Sequence, residues 1–195
     1  MLGSEMRIDQ NLCILGINGS LRRESFNRKL LKAVVELLPE GVTIEVFELH
    51  DIPLYNGDVE AEGLPEAVVA FREKIRGADA ILIATPEYNY SVAGVLKNAI
   101  DWASRPPDPP FNGKPVAIMG ASPGAYGTVR AQGHLRQVLQ CLNTRTMPRP
   151  EFMLSSAQEK LNASGNLTDE KTRKLLSAFL SAFIEWIKQV GKGRV

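Results

Sequence analysis

Hydrophobic residues fall along this chain in two alternating rhythms. Short apolar runs at residues 12–17, 42–49, 80–85 and 115–120 predict strands, with a shorter fifth near 144–147. Between them, apolar positions recur at helical spacing. Leu30, Leu31, Val34, Val35, Leu37 and Leu38 form one such face, stopped by Pro39. Pro65 opens a second helix, with Val68, Val69, Phe71 and Ile75 inward and Gly77 at its end. Val92, Val95, Leu96, Ala99 and Ile100 mark a third, and Val129, Leu135, Val138, Leu139 and Leu142 a fourth. The last helix carries Leu175, Leu176, Phe179, Phe183, Ile184 and Ile187, with Thr168 placed to cap it. Pro53, Asn56 and Gly57 read as a loop, and residues 105–110 as a stiff proline-rich one.

Strands that alternate with helices imply an α/β doubly wound parallel sheet. Right-handed crossovers leave two strand orders, 2-1-3-4-5 and 3-2-1-4-5. Either one puts a ligand at the carboxyl ends of the strands, beside the point where the order reverses. Residues 80–85, almost wholly apolar, suit a central strand covered on both faces. The chain of 195 residues reads as a single domain, 1–195.

Charge and cysteine content narrow the classes of function. The 23 Lys and Arg nearly cancel 22 Asp and Glu, so no strong field recruits nucleic acid or an anionic membrane. The same balance argues against a small acidic electron carrier, which docks through a surface of one sign. Cys13 and Cys141 lack the spacing of a disulfide framework or a zinc site, and read as small buried hydrophobes in a cytoplasmic protein. Residues 1–7 contain no apolar signal-peptide core, and no apolar run approaches the ~20 residues that span a bilayer. The glycosylation-type triplets at Asn18, Asn89, Asn162 and Asn166 therefore carry no weight.

Two loops carry the candidate chemistry. After the first strand comes Gly19-Ser20-Leu21-Arg22-Arg23-Glu24-Ser25-Phe26-Asn27, leading into a helix. A strand-to-helix junction offers unpaired N–H groups and a positive dipole end. Ser20, Ser25 and Asn27 add neutral donors and Arg22 a charge. The glycine spacing fits no dinucleotide fingerprint, and the Gly-Lys-Ser/Thr of a triphosphate loop is absent. What remains suits one terminal phosphate, although Ser25 also has the place of a plain helix cap. After the third strand comes Pro86-Glu87-Tyr88-Asn89-Tyr90-Ser91. Asn89 or Ser91 can cap the next helix, and the tyrosines can cover a flat ring or merely the sheet edge. Glu87 reads as loop geometry rather than a catalyst, because nothing in the sequence marks its acidity as unusual. His50 and His134 lack metal-ligand spacing and read as surface or packing residues, and no metal is expected.

Gly-Ser-Leu-Arg-x-x-Ser-Phe-Asn, then Pro-Glu-Tyr-Asn-Tyr-Ser, then Leu-Lys-Asn-Ala-Ile-Asp-Trp at 96–102 together resemble the NADPH-dependent FMN reductase family. Its bacterial quinone, chromate and azo-dye reductases look most similar. The resemblance implies a flavodoxin-like fold of order 2-1-3-4-5, tightly but non-covalently bound FMN, and a homodimer or homotetramer. It implies a phosphate loop of Ser20, Arg22, Ser25, Phe26 and Asn27. Pro86, Glu87, Tyr88 and Asn89 would then line the flavin ring, with Ser122 and Gly124 beside it after the fourth strand. The Pro123 and Tyr126 of that last loop depart from many relatives.

The implied reaction is ping-pong: NADPH or NADH gives a hydride to flavin N5, and a quinone, azo, nitro or chromate acceptor follows on the same face. Backbone donors from residues 87–89 would serve N5, and the Asn89 side chain the pyrimidine edge. Tyr88, Tyr90 and Arg130 would bound the substrate face, and Asn98, Asp101 and Trp102 a dimer interface, with Trp102 reading equally as an ordinary core aromatic. The other readings of the same fold are a non-enzymatic electron carrier and a nucleotide-binding regulatory module.

Overall fold

A computed structural model describes residues 11–191 of the chain. The signal-peptide reading of residues 1–7 lies outside the described residues. The elements run β1 Leu12–Asn18, α1 Phe26–Val35, β2 Val42–Glu48, α2 Gly57–Glu62, α3 Glu66–Gly77 and β3 Ala80–Ala84. Then follow β4 Glu87–Tyr88, β5 Ser91–Val92, α4 Gly94–Ala103, β6 Pro115–Ala121 and α5 Val129–Cys141. The chain continues through β7 Arg145–Thr146, β8 Phe152–Leu154, α6 Ala157–Lys160 and α7 Glu170–Gly191.

The main sheet is parallel, in the order β2-β1-β3-β6-β7, and β8 also pairs with β6. This is the 2-1-3-4-5 order, and the other candidate order is excluded. Period-two alternation in β3 explains the layers. Ala80, Leu82 and Ala84 face one core with α1 and α7, where Leu30, Val34, Leu176, Phe179 and Phe183 pack. Ile81 and Ile83 face the other, with Phe71, Ile75, Leu96, Ile100 and Leu135 from α3, α4 and α5. At ~1.5–3 kcal/mol for each large apolar side chain buried, these two layers dominate the stabilisation.

Several details depart from the sequence reading. The fifth strand is longer than 144–147 and comes in two pieces. β7 pairs with the start of β6 and β8 with its end. Pro148 and Pro150 lie between them and have no N–H to give a ladder. Asn56 is a cap rather than a loop residue: its Oδ1 accepts from Asp58 N at 2.9 Å and starts α2. Val69 faces outward from α3, and the buried Arg72 instead donates to the carbonyls of Ala103, Arg105 and Asp108, holding the proline-rich loop. Asp169, not Thr168, caps α7, accepting from the N–H and the hydroxyl of Thr172. Those two bonds hold its carboxyl below the usual range.

Cys13 and Cys141 are exposed rather than buried. Each lies at an element end, the second residue of β1 and the last of α5, beyond the reach of the covering layers. Among the described residues no helix is long and apolar enough to cross a membrane.

Candidate functional site

β1 and β3 end side by side at the point where the strand order reverses, and the two loops meet there. Gly19 N donates to Ala84 O at 2.9 Å, joining the strand ends. A Cβ on Gly19 would lie 3.0 Å from Ala84 O and 3.1 Å from Pro86 Cδ, so only glycine lets the two loops approach this closely.

The loop at 20–25 has all its leading carbonyls turned toward the scaffold. Ser20 O accepts from Asn18 Nδ2 at 3.0 Å, and Leu21 O lies 3.2 Å from His50 Nε2. Arg22 O accepts from Ser25 N at 3.2 Å, and Arg23 O from Arg28 Nη1 at 3.0 Å. With four consecutive carbonyls committed, the N–H groups of Leu21, Arg23 and Glu24 have no acceptor among the described residues. Ser25 is indeed the cap of α1, its Oγ accepting from Asn27 N and Arg28 N, and its own O–H remains to be donated. Unpaired N–H groups, two buried hydroxyls at Ser20 and Ser25 and the Arg22 guanidinium make a donor set that fits one phosphate dianion.

Asn18, Arg28 and Glu48 had no site role in the sequence reading, and His50 read as a surface or packing residue. Glu48 ends β2 and accepts from Arg28 through both oxygens and from Asn18 Nδ2 at 2.9 Å. Burial pushes the Glu48 carboxyl up, but the Arg28 guanidinium and the Asn18 amide outweigh it and hold the group below its usual range. Arg28 is raised in turn by Glu48. The only local signal for this scaffold was a polar residue closing each of two apolar strands.

Asn27 is buried, and its amide is occupied. Its Oδ1 accepts from Ala121 N at 2.9 Å and its Nδ2 donates to Ala121 O at 3.1 Å. β3 pairs with β6 only as far as Ala84 and Met119, so Asn27 serves the free edge of β6 as a one-residue strand. The loop after β6 is organised by Ser122, whose Oγ donates to Gly127 O at 2.8 Å and accepts from Gly124 N at 3.2 Å.

Residues 87–92 form an antiparallel hairpin, not a helix cap. Asn89 and Tyr90 take φ of 48° and 64°, the two left-handed positions of a tight two-residue turn. Asn tolerates this region, whereas a tyrosine there costs ~1–2 kcal/mol. Arg130 covers that strained tip: its guanidinium lies 4.1 Å from the Tyr90 ring centre and 5.3 Å from that of Tyr126. Tyr88 and Tyr90 are exposed.

One crevice brings together Ser20, Arg22, Ser25, Phe26 and Asn27 from the first loop, Pro86, Glu87 and Tyr88 from the second, and Ala121, Ser122 and Pro123 from the third. Asn89 lies outside it, in an adjoining opening with Glu87 and Tyr90. Gly124 lines neither opening. His134 joins the surface network through a 3.0 Å contact of Nδ1 with Ser91 Oγ. Trp102 takes the core alternative: it is wholly buried, with Nε1 donating to Pro53 O at 2.9 Å. Asn98 pins the same segment, bonding Pro53 O and Tyr55 N.

The family model for NADPH-dependent FMN reductases matches residues 12–159, every strand of the sheet and all three loops. The chain belongs to that family. It is 54% identical over 183 residues to an NAD(P)H-dependent FMN reductase of Pseudomonas aeruginosa, covering 94% of this chain and 99% of that one. A quinone reductase of Escherichia coli K12 is 44% identical over 186 residues, with 94% and 99% covered. Among solved structures, the flavoenzyme NAD(P)H:acceptor oxidoreductase FerB of Paracoccus denitrificans superposes with a TM-score of 0.85 at 40% identity, covering 91% of this chain and 98% of that one. The protein is thus an oxidoreductase of a flavin-dependent family, with the flavodoxin-like fold.

Proposed function

We propose that this protein is an FMN-containing oxidoreductase that takes electrons from NADPH or NADH and passes them to quinones. The observation that carries the reading is the cradle at 20–25, with carbonyls turned to the scaffold and N–H groups unpaired, facing a hairpin across one crevice. Its charge suits the single phosphate of a mononucleotide. When bound, FMN supplies the redox chemistry, accepting a hydride and delivering electrons to the acceptor.

The chain's own residues bind and orient. Ser20, Arg22 and Ser25 hold the phosphate, with Phe26 and Asn27 shaping the cradle. Pro86, Glu87, Tyr88 and Asn89 would lie along the ring with Ser122 beside it, and Gly124, outside both openings, would act only through its N–H bond to Ser122 Oγ. Tyr88 and Tyr90 stand on the solvent side of the hairpin with Arg130 between Tyr90 and Tyr126, an aromatic rim suited to flat acceptors. An open rim of this kind tolerates azo and nitro aromatics, and Arg130 gives chromate a cation to meet. The protein acts as a homodimer or homotetramer in the cytoplasm, where both thiols stay reduced.

The deciding experiment uses one cuvette. Purified protein should show a flavin spectrum, bleach when NADPH is added anaerobically, and recolour on addition of a quinone. Colourless protein after incubation with FMN refutes the reading. A yellow protein that no nicotinamide dinucleotide bleaches is an electron carrier instead. Arg22→Ala should weaken FMN binding about tenfold to a hundredfold, the loss of one charge-assisted bond worth ~1.5–3 kcal/mol. An unchanged dissociation constant removes Arg22 from the phosphate site.

A further inference from the structure

α5 begins at Val129, but its nominal cap, Thr128, makes no capping bond. The Thr128 hydroxyl is engaged instead with Gln132 Nε2 at 3.1 Å. The cap comes from the other side of the crevice. Glu87 Oε2 accepts from Arg130 N at 2.9 Å and from Ala131 N at 3.0 Å, the second and third N–H groups of the helix. These are the two donors that a local Ser or Asp cap normally satisfies. The Glu87 side chain is only 10% exposed, and its other oxygen lies 3.6 Å from the Arg130 guanidinium.

Two consequences follow. The carboxylate sits at the positive end of α5, so that end already has its anion. The hairpin is also held at both ends by one helical turn: Glu87 at its base, through the backbone, and Tyr90 at its tip, through the Arg130 side chain. The loop after β3 and the loop after β6 are therefore latched together across the crevice.

We propose that Glu87 is a positioning residue for the flavin step. Its carboxylate sets where the backbone of residues 87–89 stands relative to the phosphate cradle, without touching the reacting atoms. This rests on the FMN reading above. It assigns the residue a task that depends on where its oxygens reach, not on its charge, which is the basis of the test.

Two variants separate these. Glu87→Gln keeps an oxygen at the same reach and loses the charge. Glu87→Asp keeps the charge and withdraws the oxygens by one methylene. Amide hydrogen exchange is first measured on the cofactor-free protein. Glu87→Gln should match wild type, whereas Glu87→Asp should speed exchange at Arg130 and Ala131 about fivefold to tenfold, as loss of a cap does. With FMN bound, Glu87→Asp should shift the flavin absorbance maximum and the midpoint potential, while Glu87→Gln stays close to wild type. Arg22→Ala should leave both spectroscopic quantities in place.

The reverse ranking, with Asp like wild type and Gln perturbed, overturns the proposal in favour of a purely electrostatic role. Faster exchange in Glu87→Asp with an unmoved spectrum and potential also overturns it, because the latch then has no effect on the flavin. If wild type binds no FMN, the functional reading fails first, and the exchange data show independently whether Glu87 caps α5.

Discussion

Replacing Asn27 by alanine tests the link between the phosphate loop and the sheet. The substitution removes one acceptor and one donor, and it leaves both Ala121 N–H and Ala121 O without partners. Asn27 and Ala121 are each 2% exposed, so neither orphaned group reaches bulk water readily. A buried backbone group without a partner costs ~1–3 kcal/mol. The adjoining crevice admits some water, which places the sum near the lower half of the range, ~3 kcal/mol. For a chain of this length that corresponds to a loss of about 6–12 °C in Tm.

Urea unfolding of the cofactor-free protein, followed by circular dichroism, measures the difference without involving ligand affinity. Asn27→Asp sharpens the test. One carboxylate oxygen still accepts from Ala121 N–H, but the other faces Ala121 O and repels it. Protonation restores a donor, so the folded state raises the pKa of that Asp above its unfolded value. The Asp variant should therefore regain stability relative to Asn27→Ala as pH falls toward about 4, near the ordinary value for Asp. If Asn27→Ala lies within about 0.5 kcal/mol of wild type, as surface substitutions do, Asn27 is not the strand substitute described.

Two further outcomes follow from the same framework. Gly120→Ala should be poorly tolerated, because its Cβ would stand 2.5 Å from Thr85 O, a backbone atom in the central sheet, and press on Thr128; overpacking of this kind costs ~1–3 kcal/mol, and thermal unfolding reads it. Glu48, held below its unfolded pKa by Arg28 and Asn18, contributes stability that is present above the unfolded value of about 4.3 and lost as pH falls through the folded value. The gap between wild type and Glu48→Gln, under ~1 kcal/mol for a side chain 36% exposed, should shrink as unfolding is measured at progressively lower pH; a gap that widens toward acid contradicts the pairing.

Much of the site was legible because its signals are local. A strand-to-helix turn rich in hydroxyls is visible from neighbouring residues alone, and the structure sets Ser20, Arg22 and Ser25 along one crevice. Glu87 was legible as part of a loop but not as a cap, since its partners lie 43 and 44 residues away. Asn89 looked like a helix cap because Asn favours both caps and left-handed turns. The hairpin pairing of Glu87 with Val92 and Tyr88 with Ser91 chose the turn. Cys13 and Cys141 show the limit of composition: burial depends on which part of an element the covering layer reaches.

The amino-acid sequence by itself determined the alternating strands and helices and the family. Each follows from periodicity or from residues within a few positions of one another. Only the tertiary structure decided which donors hold the carbonyls of residues 20–23 against the scaffold, that Asn27 extends an unfinished sheet edge, and that Glu87 closes a helix in another loop. Those partners are set by how parallel strands bring distant loops to one edge, and a hydrogen bond across a crevice leaves no periodic trace along the chain.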